Sequence, residues 1–421
     1  MIALADCNNF YVSCERSFNP SLNGQPVVVL SNNDGSIVAR SNEVKRLNVG
    51  MGQPFFEIEE LWKKHGIHVF SSNYVLYGNM SARVMSILNR FVEDVEVYSI
   101  DEAFLDLHGY ESIYPDLSQF AQTLRQTIMQ WTRIPISVGI APTKTLAKVA
   151  NWLAKKRPDS TGVVMLADSE AIQEALAQFD VAELWGIGRR YAAFLRKNNI
   201  RTALDFSCCP DVWVQKHFTI NGLRLVYELR GQVCRYVEPE PAIRKSVCVA
   251  PSFGDLYGDR QTLREALSNY VARASEKLRR QRLAAGFMTV FLHTNRFRAT
   301  QGHYANSRSL VLPVTTNLVP ELVHYAHQAL DSLYKPGYAY QKVGVILSDL
   351  QPDSHHVPDL FEGELDPRLL KLLPVVEQVN NKLGRDTVRF AIQGFNHHWK
   401  MKQRWLSKRY TTRWQDIIIA K

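Results

Sequence analysis

A multidomain α+β protein is what this sequence predicts, on three observations. Its 421 residues are enough for roughly two to four domains. Strand–turn–strand signals and amphipathic helical runs are mixed along the chain, as in an α+β architecture. Past its middle, Val237-Glu-Pro-Glu-Pro241 reads as a linker, and a strand–helix–strand–strand–helix–strand succession starts afresh beyond it.

Composition narrows the class. Apolar content of 46% and charged content of 22% are those of an ordinary globular protein. No apolar run approaches the roughly 20 residues that a membrane-spanning helix needs. The N-terminal apolar run is short and reads as a strand, not as a cleavable signal. A net charge of +9 points to a polyanionic partner, either nucleic acid or a membrane surface. The six cysteines form no Cys-x-x-Cys pair, which argues against zinc and for free thiols in a reducing, cytosolic compartment.

The first strand, Met1-Ile-Ala-Leu-Ala-Asp6, ends in an acid. It runs into Cys7-Asn-Asn-Phe-Tyr-Val-Ser-Cys-Glu15, where Asn8 or Asn9 is placed to cap a helix. Residues 26–30 read as a strand, Asn32-Asn-Asp-Gly35 as a turn and 37–39 as its hairpin partner. Residues 41–64 read as mostly helical, broken near Gly50-Met-Gly52 and Pro54.

A second strand–turn–strand follows, with Val95, Val97 and Ile100 before Asp101-Glu102 and Phe104, Leu105 and Leu107 after it. Adjacent acids inside apolar sequence are costly to bury. A divalent cation removes that cost, since hard cations prefer carboxylate oxygens. A solvated turn with two surface acids fits the same stretch. Asp6 supplies a third carboxylate at a strand end. Three such groups suit two Mg²⁺ ions roughly 3.5–4 Å apart, clamping the attacking and leaving oxygens of a phosphoryl transfer.

Residues 115–133 read as a helix and 136–140 as a strand. In the next helix Leu146, Val149, Ala150 and Leu153 form one apolar face. Lys144, Lys148 and Lys155 fall within about 40° of one another on one stripe of the helix, facing either solvent or an anion such as phosphate. Residues 166–235 read as several short helices. Within them Asp180-Val-Ala-Glu-Leu-Trp-Gly-Ile-Gly188, followed by Arg189 and Arg190, reads as a helix-hairpin-helix turn. Gly186 and Gly188 would let the backbone approach a phosphate, although any tight turn can use such a pair.

Beyond the linker the succession is 247–253, 263–281, 287–293, 309–313, 319–333 and 342–347, a small sheet backed by two helices. Residues 245–350 carry 13 Lys and Arg against 7 acids, most of the surplus charge. Residues 351–421 read as a tail, with six basic residues and no acid between Lys400 and Arg413.

Asp-x-Asn-x-Phe-Tyr at 6–11, Val-Tyr-Ser-Ile-Asp-Glu-Ala-Phe-Leu-Asp at 97–106 and Pro-Thr-Lys-Thr-Leu-Ala-Lys at 142–148 together resemble a Y-family translesion DNA polymerase. Val-Leu-Ser-Asn-Asn-Asp-Gly at 29–35, Phe-Ser-Ser-Asn-Tyr at 70–74 and Ser-Lys-Arg-Tyr-Thr-Thr-Arg at 407–413 resemble its UmuC-like branch. The resemblance runs over nearly the whole chain. It implies a right-hand polymerase: palm 1–20 and 76–165, small fingers 21–75, helix-hairpin-helix thumb 166–236, linker 237–244, α/β little finger 245–350 and a partner-binding C-terminal tail 351–421.

The resemblance also implies roles. Asp6, Asp101 and Glu102, with the Cys7 carbonyl, would hold two Mg²⁺. The N–H groups of Phe10 and Tyr11, with Asn42, Lys45 and Lys155, would hold the deoxynucleoside triphosphate, and Tyr11 would be the steric gate against ribonucleotides. Asn42 and Lys45 stand where the family often has Tyr and Arg, so that grip is expected to be looser or borrowed from Arg40. Lys144, Lys148, Gly186, Gly188, Arg189 and Arg190 would touch primer-template DNA. Asp359-Leu-Phe361 resembles the end of a sliding-clamp motif, with Leu360 and Phe361 as contacts and Val357 in place of its Gln. The implied partners are a processed UmuD homodimer, the RecA filament and the clamp, in the SOS response of a bacterial cytoplasm near the nucleoid. A nucleotidyl cyclase shares palm-like carboxylates but leaves the helix-hairpin-helix turn without a purpose. A non-catalytic DNA-binding regulator has no need of all three acids.

Overall fold

The computed structural model describes residues 1–157, 160–240, 243–297, 302–355 and 367–419. The chain divides into two compact units. One comprises Met1–Leu30, Ser36–Pro241 and Trp405–Lys421, and the other Ser31–Gly35 and Ala242–Arg404.

The first unit contains, in order, β1 (Ile2–Cys7), α1 (Phe10–Phe18), β2 (Val27–Leu30), β3 (Ile37–Arg40), α2 (Asn42–Arg46), α3 (Glu59–His65), β4 (His68–Ser71), α4 (Tyr74–Phe91), β5 (Val95–Val97), β6 (Glu102–Asp106), α5 (Leu117–Thr132), β7 (Ile136–Ala141), α6 (Lys144–Lys156), β8 (Val163–Met165), α7 (Ser169–Gln178), α8 (Arg189–Lys197), α9 (Ala203–Ser207) and α10 (Asp211–Leu229). Its main sheet has the order β5-β6-β1-β7-β8. It is antiparallel except for the β7–β8 pair. Side chains alternate across a strand, so β1 serves two cores. Ala3, Ala5 and Cys7 enter the core shared with α4 and α5, while Ile2 and Leu4 enter the one shared with α6. On β6, Ala103 and Leu105 join the first core and Phe104 the second. The expected apolar face of α6 is the one buried against this sheet.

The start of α6 is fixed by a buried acid. Thr143 caps the helix through Leu146 N–H and donates its hydroxyl to the Glu228 carbonyl at 2.9 Å. The Glu228 carboxylate, fully buried, accepts Thr145 N–H at 3.1 Å and the Thr145 hydroxyl at 2.6 Å. It also takes the N–H groups of Cys234 and Arg235. A carboxylate at a helix N-terminus meets the positive end of the helix dipole.

A second, three-stranded sheet of the first unit has the order β3-β2-β4, with β4 parallel to β2. The expected antiparallel pairing of β2 with β3 forms, and its connecting turn is held away from the sheet. Residues 31–35 belong to the second unit, where Asn33 Nδ2 donates to the Phe253 carbonyl at 2.9 Å and Asn33 Oδ1 accepts Lys402 N–H at 2.8 Å.

The second unit contains β9 (Ser246–Val249), α11 (Arg260–Arg280), β10 (Leu283–Thr294), β11 (Ala305–Thr316), α12 (Val319–Leu333), β12 (Tyr340–Pro352) and α13 (Pro367–Leu383). One antiparallel sheet, β11-β10-β12-β9, packs on α11 and α12. Its strands outrun their apolar runs because β10 pairs on both sides along nearly its full length. β9 stops short of 253 because Pro251 has no N–H to give. Residues 351–421 are not a tail throughout. α13 and a buried Trp399 belong to the second unit, and Trp405 onward to the first. Among the described residues no helix is long and apolar enough to cross a membrane.

Candidate active site

Strand register sets two of the three acids side by side, and the third comes just before the strand. Asp6 and Glu102 are direct partners across β1 and β6. Asp6 lies two residues beyond Leu4 and Glu102 two before Phe104, so both face α6. Asp101 precedes β6, and its carbonyl accepts Cys7 N–H at 2.8 Å. Ser99 fixes the turn. Its hydroxyl donates to Asp101 Oδ1 at 2.6 Å and accepts the N–H groups of Asp101 and Glu102 at 3.2 and 3.0 Å. Asp106 accepts His108 N–H at 2.8 Å in the following turn.

Helix α6 answers these acids with lysines. Lys155 Nζ lies 2.6 Å from Asp6 Oδ2, and Lys148 Nζ lies 3.1 and 3.2 Å from the two Glu102 oxygens. Burial pushes the Asp6 carboxyl from 3.8 up to about 6; Lys155 pulls it partly back, and the charges of Glu102 and Asp101 add to the rise. Since the folded value is the raised one, ionising Asp6 costs stability as pH climbs from 3.8 through about 6. Among the described residues no three His, Cys, Asp or Glu groups are already gathered in metal-ligand geometry, because two of these carboxylates are turned onto lysines. The donor set nonetheless fits a hard cation. It consists of carboxylate oxygens in register, with negative charge that Lys155 only partly offsets.

Beside the acids lies a cleft of about 490 Å³, lined by Asn8, Asn9, Asn42, Lys45, Lys155 and Arg157 among others. Asn9 has φ 48° and does not cap α1 with its side chain. Its Nδ2 donates instead to Asn42 Oδ1 at 3.2 Å, which also accepts Lys45 Nζ at 3.2 Å. Asn8 is no cap either, since its Oδ1 accepts the Ser137 hydroxyl at 3.0 Å. The first turn of α1, with the N–H groups of Phe10 and Tyr11, therefore has no side-chain cap. Burial, with Arg40 and Lys155 adding to it, holds the Lys45 ammonium below its usual range. Tyr11 is half-buried and stacks on Tyr77, with ring centroids 4.4 Å apart and planes 18° apart, while Phe10 is buried in the core.

Other expectations fare differently. Lys144 is buried against Glu96 and the Phe104 ring, so it presents no free cation to DNA. Lys148 is also drawn in, over the Tyr98 ring at 4.6 Å. The lysine stripe thus neutralises the protein's own carboxylates. Arg40 donates to the Val49 carbonyl and lies close enough to Lys45 for its charge to act on that ammonium. Gly186 has φ 97° and Gly188 caps α8, and both are exposed with Arg189 and Arg190 at the helix start. Val357, Leu360 and Phe361 lie outside the described residues.

Sequence reasoning missed Ser99, Arg125 and Arg157, and it read Asn9 as a cap where its amide goes to Asn42. Ser99 was findable, because a serine two residues before an acid is a common local turn pattern. Arg125 and Arg157 carry no local signal and reach the cleft only through tertiary packing.

Comparison with known proteins gives the family. The impB/mucB/samB family matches residues 5–151, its C-terminal domain residues 244–360, and a domain of unknown function (DUF4113) residues 371–420. Protein UmuC of Salmonella typhimurium is 41% identical over 100% of both chains. Protein ImpB of Salmonella typhimurium is 40% identical, also over 100% of both. DNA polymerase IV of Caulobacter vibrioides is 28% identical over 92% of each. A solved Y-family DNA polymerase chimera, Dbh-Dpo4(243-245)-Dbh, has a TM-score of 0.67 at 22% identity, covering 83% of this chain and 99% of its own. An insertion ternary complex of Dbh DNA polymerase has a TM-score of 0.57 at 22% identity, covering 83% and 98%. The multidomain α+β fold is that of Y-family polymerases, and the chain belongs to the impB/mucB/samB family of Y-family, DNA-directed DNA polymerases of translesion synthesis.

Proposed function

We propose that this chain is the catalytic subunit of an error-prone polymerase of the SOS response, with two Mg²⁺ held by Asp6, Asp101, Glu102 and the Cys7 carbonyl. The observation that carries the reading is the β1–β6 register, which sets Asp6 against Glu102 beside the Asn- and Lys-lined cleft. When bound, the ions would lower the pKa of the primer 3′-hydroxyl and neutralise the triphosphate. Lys155, no longer needed on Asp6, turns its ammonium to the triphosphate. Lys45 and Asn42 face it across the cleft. The uncapped N–H groups of Phe10 and Tyr11 take phosphate oxygens, as helix N-termini do. Lys148 keeps Glu102 aimed.

Gly186, Gly188, Arg189 and Arg190 hold the DNA backbone, and the basic second unit holds phosphates without reading bases. The palm, fingers, thumb and little-finger boundaries given above belong to this reading. So do the processed UmuD homodimer, the RecA filament and the sliding clamp as partners of residues 351–421. Primer extension on undamaged and abasic templates, with and without those partners, tests it. Template-dependent incorporation past the abasic site is expected; triphosphate turnover that does not depend on DNA overturns it.

Tyr11 places the sugar. Its ring, held flat on Tyr77 one turn from Asp6, would lie beneath the 2′ position and exclude a hydroxyl there. Tyr11→Ala is expected to raise the ratio of ribonucleotide to deoxynucleotide kcat/KM by roughly 10-fold or more, the discrimination one steric contact supplies. The ratio is measured opposite one template base. An unchanged ratio removes the gate and the nucleotide's placement with it.

A further inference from the structure

The segment that starts at Trp405 returns to the first unit and packs beside α1 and α4. The Trp405 carbonyl accepts Ser71 N–H at 3.0 Å, and Trp405 N–H donates to Ser71 Oγ at 3.0 Å. The Trp405 ring meets Phe55 and Trp62 at 5.4 and 6.1 Å. Asn73, which caps α4 through Leu76 N–H, donates its amide to the Ser407 carbonyl, the Ser407 hydroxyl and the Lys408 carbonyl at 3.1, 3.0 and 3.2 Å.

From there the contacts lead inward. Ser407 Oγ donates to Glu15 Oε1 at 2.8 Å, and the Tyr77 hydroxyl donates to the same oxygen at 2.7 Å. Glu15 is 2% exposed. Among the described residues its side-chain partners are these two hydroxyls, which make an otherwise costly buried carboxylate tolerable. Tyr77 is fully buried, and its ring is the one on which Tyr11 stacks. Tyr410 stacks on Phe18 at 4.8 Å with planes 8° apart. Tyr11, Glu15 and Phe18 stand at i, i+4 and i+7 of α1, a single helix face. That face is therefore gripped at three levels, two of them directly by the C-terminal segment.

We propose that Ser407, Glu15 and Tyr77 are positioning residues for Tyr11, through which the C-terminal segment sets how strictly the site excludes ribonucleotides. This rests on the reading of Tyr11 as the sugar gate. Without the Ser407 hydroxyl, Glu15 is held by Tyr77 alone and the pair can shift together. Without the Tyr77 hydroxyl, the ring loses its tether to Glu15. In both cases Tyr11 follows the ring it stacks on.

The test uses the full chain and the ribonucleotide-to-deoxynucleotide kcat/KM ratio opposite one template base. Ser407→Ala and Tyr77→Phe each remove one hydroxyl and are expected to raise the ratio roughly 3- to 10-fold, the loosening that one net hydrogen bond sets. Ser407→Thr, which keeps a hydroxyl, should retain the native ratio. Adding Ser407→Ala to Tyr11→Ala should change the ratio no further. If Tyr11→Ala raises the ratio while Ser407→Ala and Tyr77→Phe leave it native, the gate stands and the positioning role is overturned. A uniform loss with both nucleotides, or a further rise in the double variant, overturns it as well. If Tyr11→Ala itself has no effect, the gate reading fails first and this inference falls with it.

Discussion

Glu102→Gln or Asp101→Asn is expected to cut primer extension on the order of 10³-fold while primer-template affinity stays near native. Each change keeps the side-chain shape and removes one negative charge. Metal assistance supplies several kcal/mol of such a barrier, and about 1.36 kcal/mol is tenfold in rate. The fold should survive. Glu102 is only partly buried, and Lys148, deprived of its carboxylate, keeps the rings of Tyr98 and Trp185 at 4.6 and 5.4 Å as cation–π partners. Steady-state extension alongside a DNA-binding titration checks both halves. Near-native extension in either variant moves the metal site elsewhere.

Gly139→Ala is expected to destabilise the chain by about 3 kcal/mol or more, at the upper end of overpacking costs. Gly139 lies in β7 where α6 crosses it. A Cβ there would stand 2.1 Å from Asn151 N and 2.4 Å from the Ala147 carbonyl oxygen. Both neighbours are helix backbone and cannot rotate away, so the whole of α6 must lift. That helix carries Lys148 and Lys155, so the damage reaches the acids as well. Chemical denaturation reads the stability, and the nucleotide KM of the folded fraction reads the displacement. A native midpoint would mean that α6 does not sit so close to β7.

Much of the site was legible because its signals are local. Asp6 ends an apolar run, Asp101 and Glu102 interrupt one, and the apolar face of α6 repeats with helical period. The Gly186 turn announced itself by spacing. What stayed hidden depends on partners far along the chain. The lysines of α6 look alike in sequence, yet Lys144 meets Glu96, Lys148 meets Glu102 and Lys155 meets Asp6. Only the sheet order decides which acid each one finds. Asn9 reads as a cap by residue type, but Asn42, thirty-three positions on, takes its amide instead. Strand β4 is four residues long and pairs in parallel with β2, a contact without a turn to announce it. The return of Trp405 to β4 spans 334 positions, and a basic, aromatic segment gives no hint of that destination.

The claim on which the rest depends is that Asp6, Asp101 and Glu102 are one cation site. Manganese binding by electron paramagnetic resonance, with primer-template and a non-hydrolysable deoxynucleotide bound, tests it without relying on turnover. The native chain should hold the ion tightly, and Asp6→Asn and Glu102→Gln should each weaken it by roughly tenfold or more, as loss of a charged oxygen ligand does. Unchanged manganese affinity in both variants would contradict the assignment of these three carboxylates.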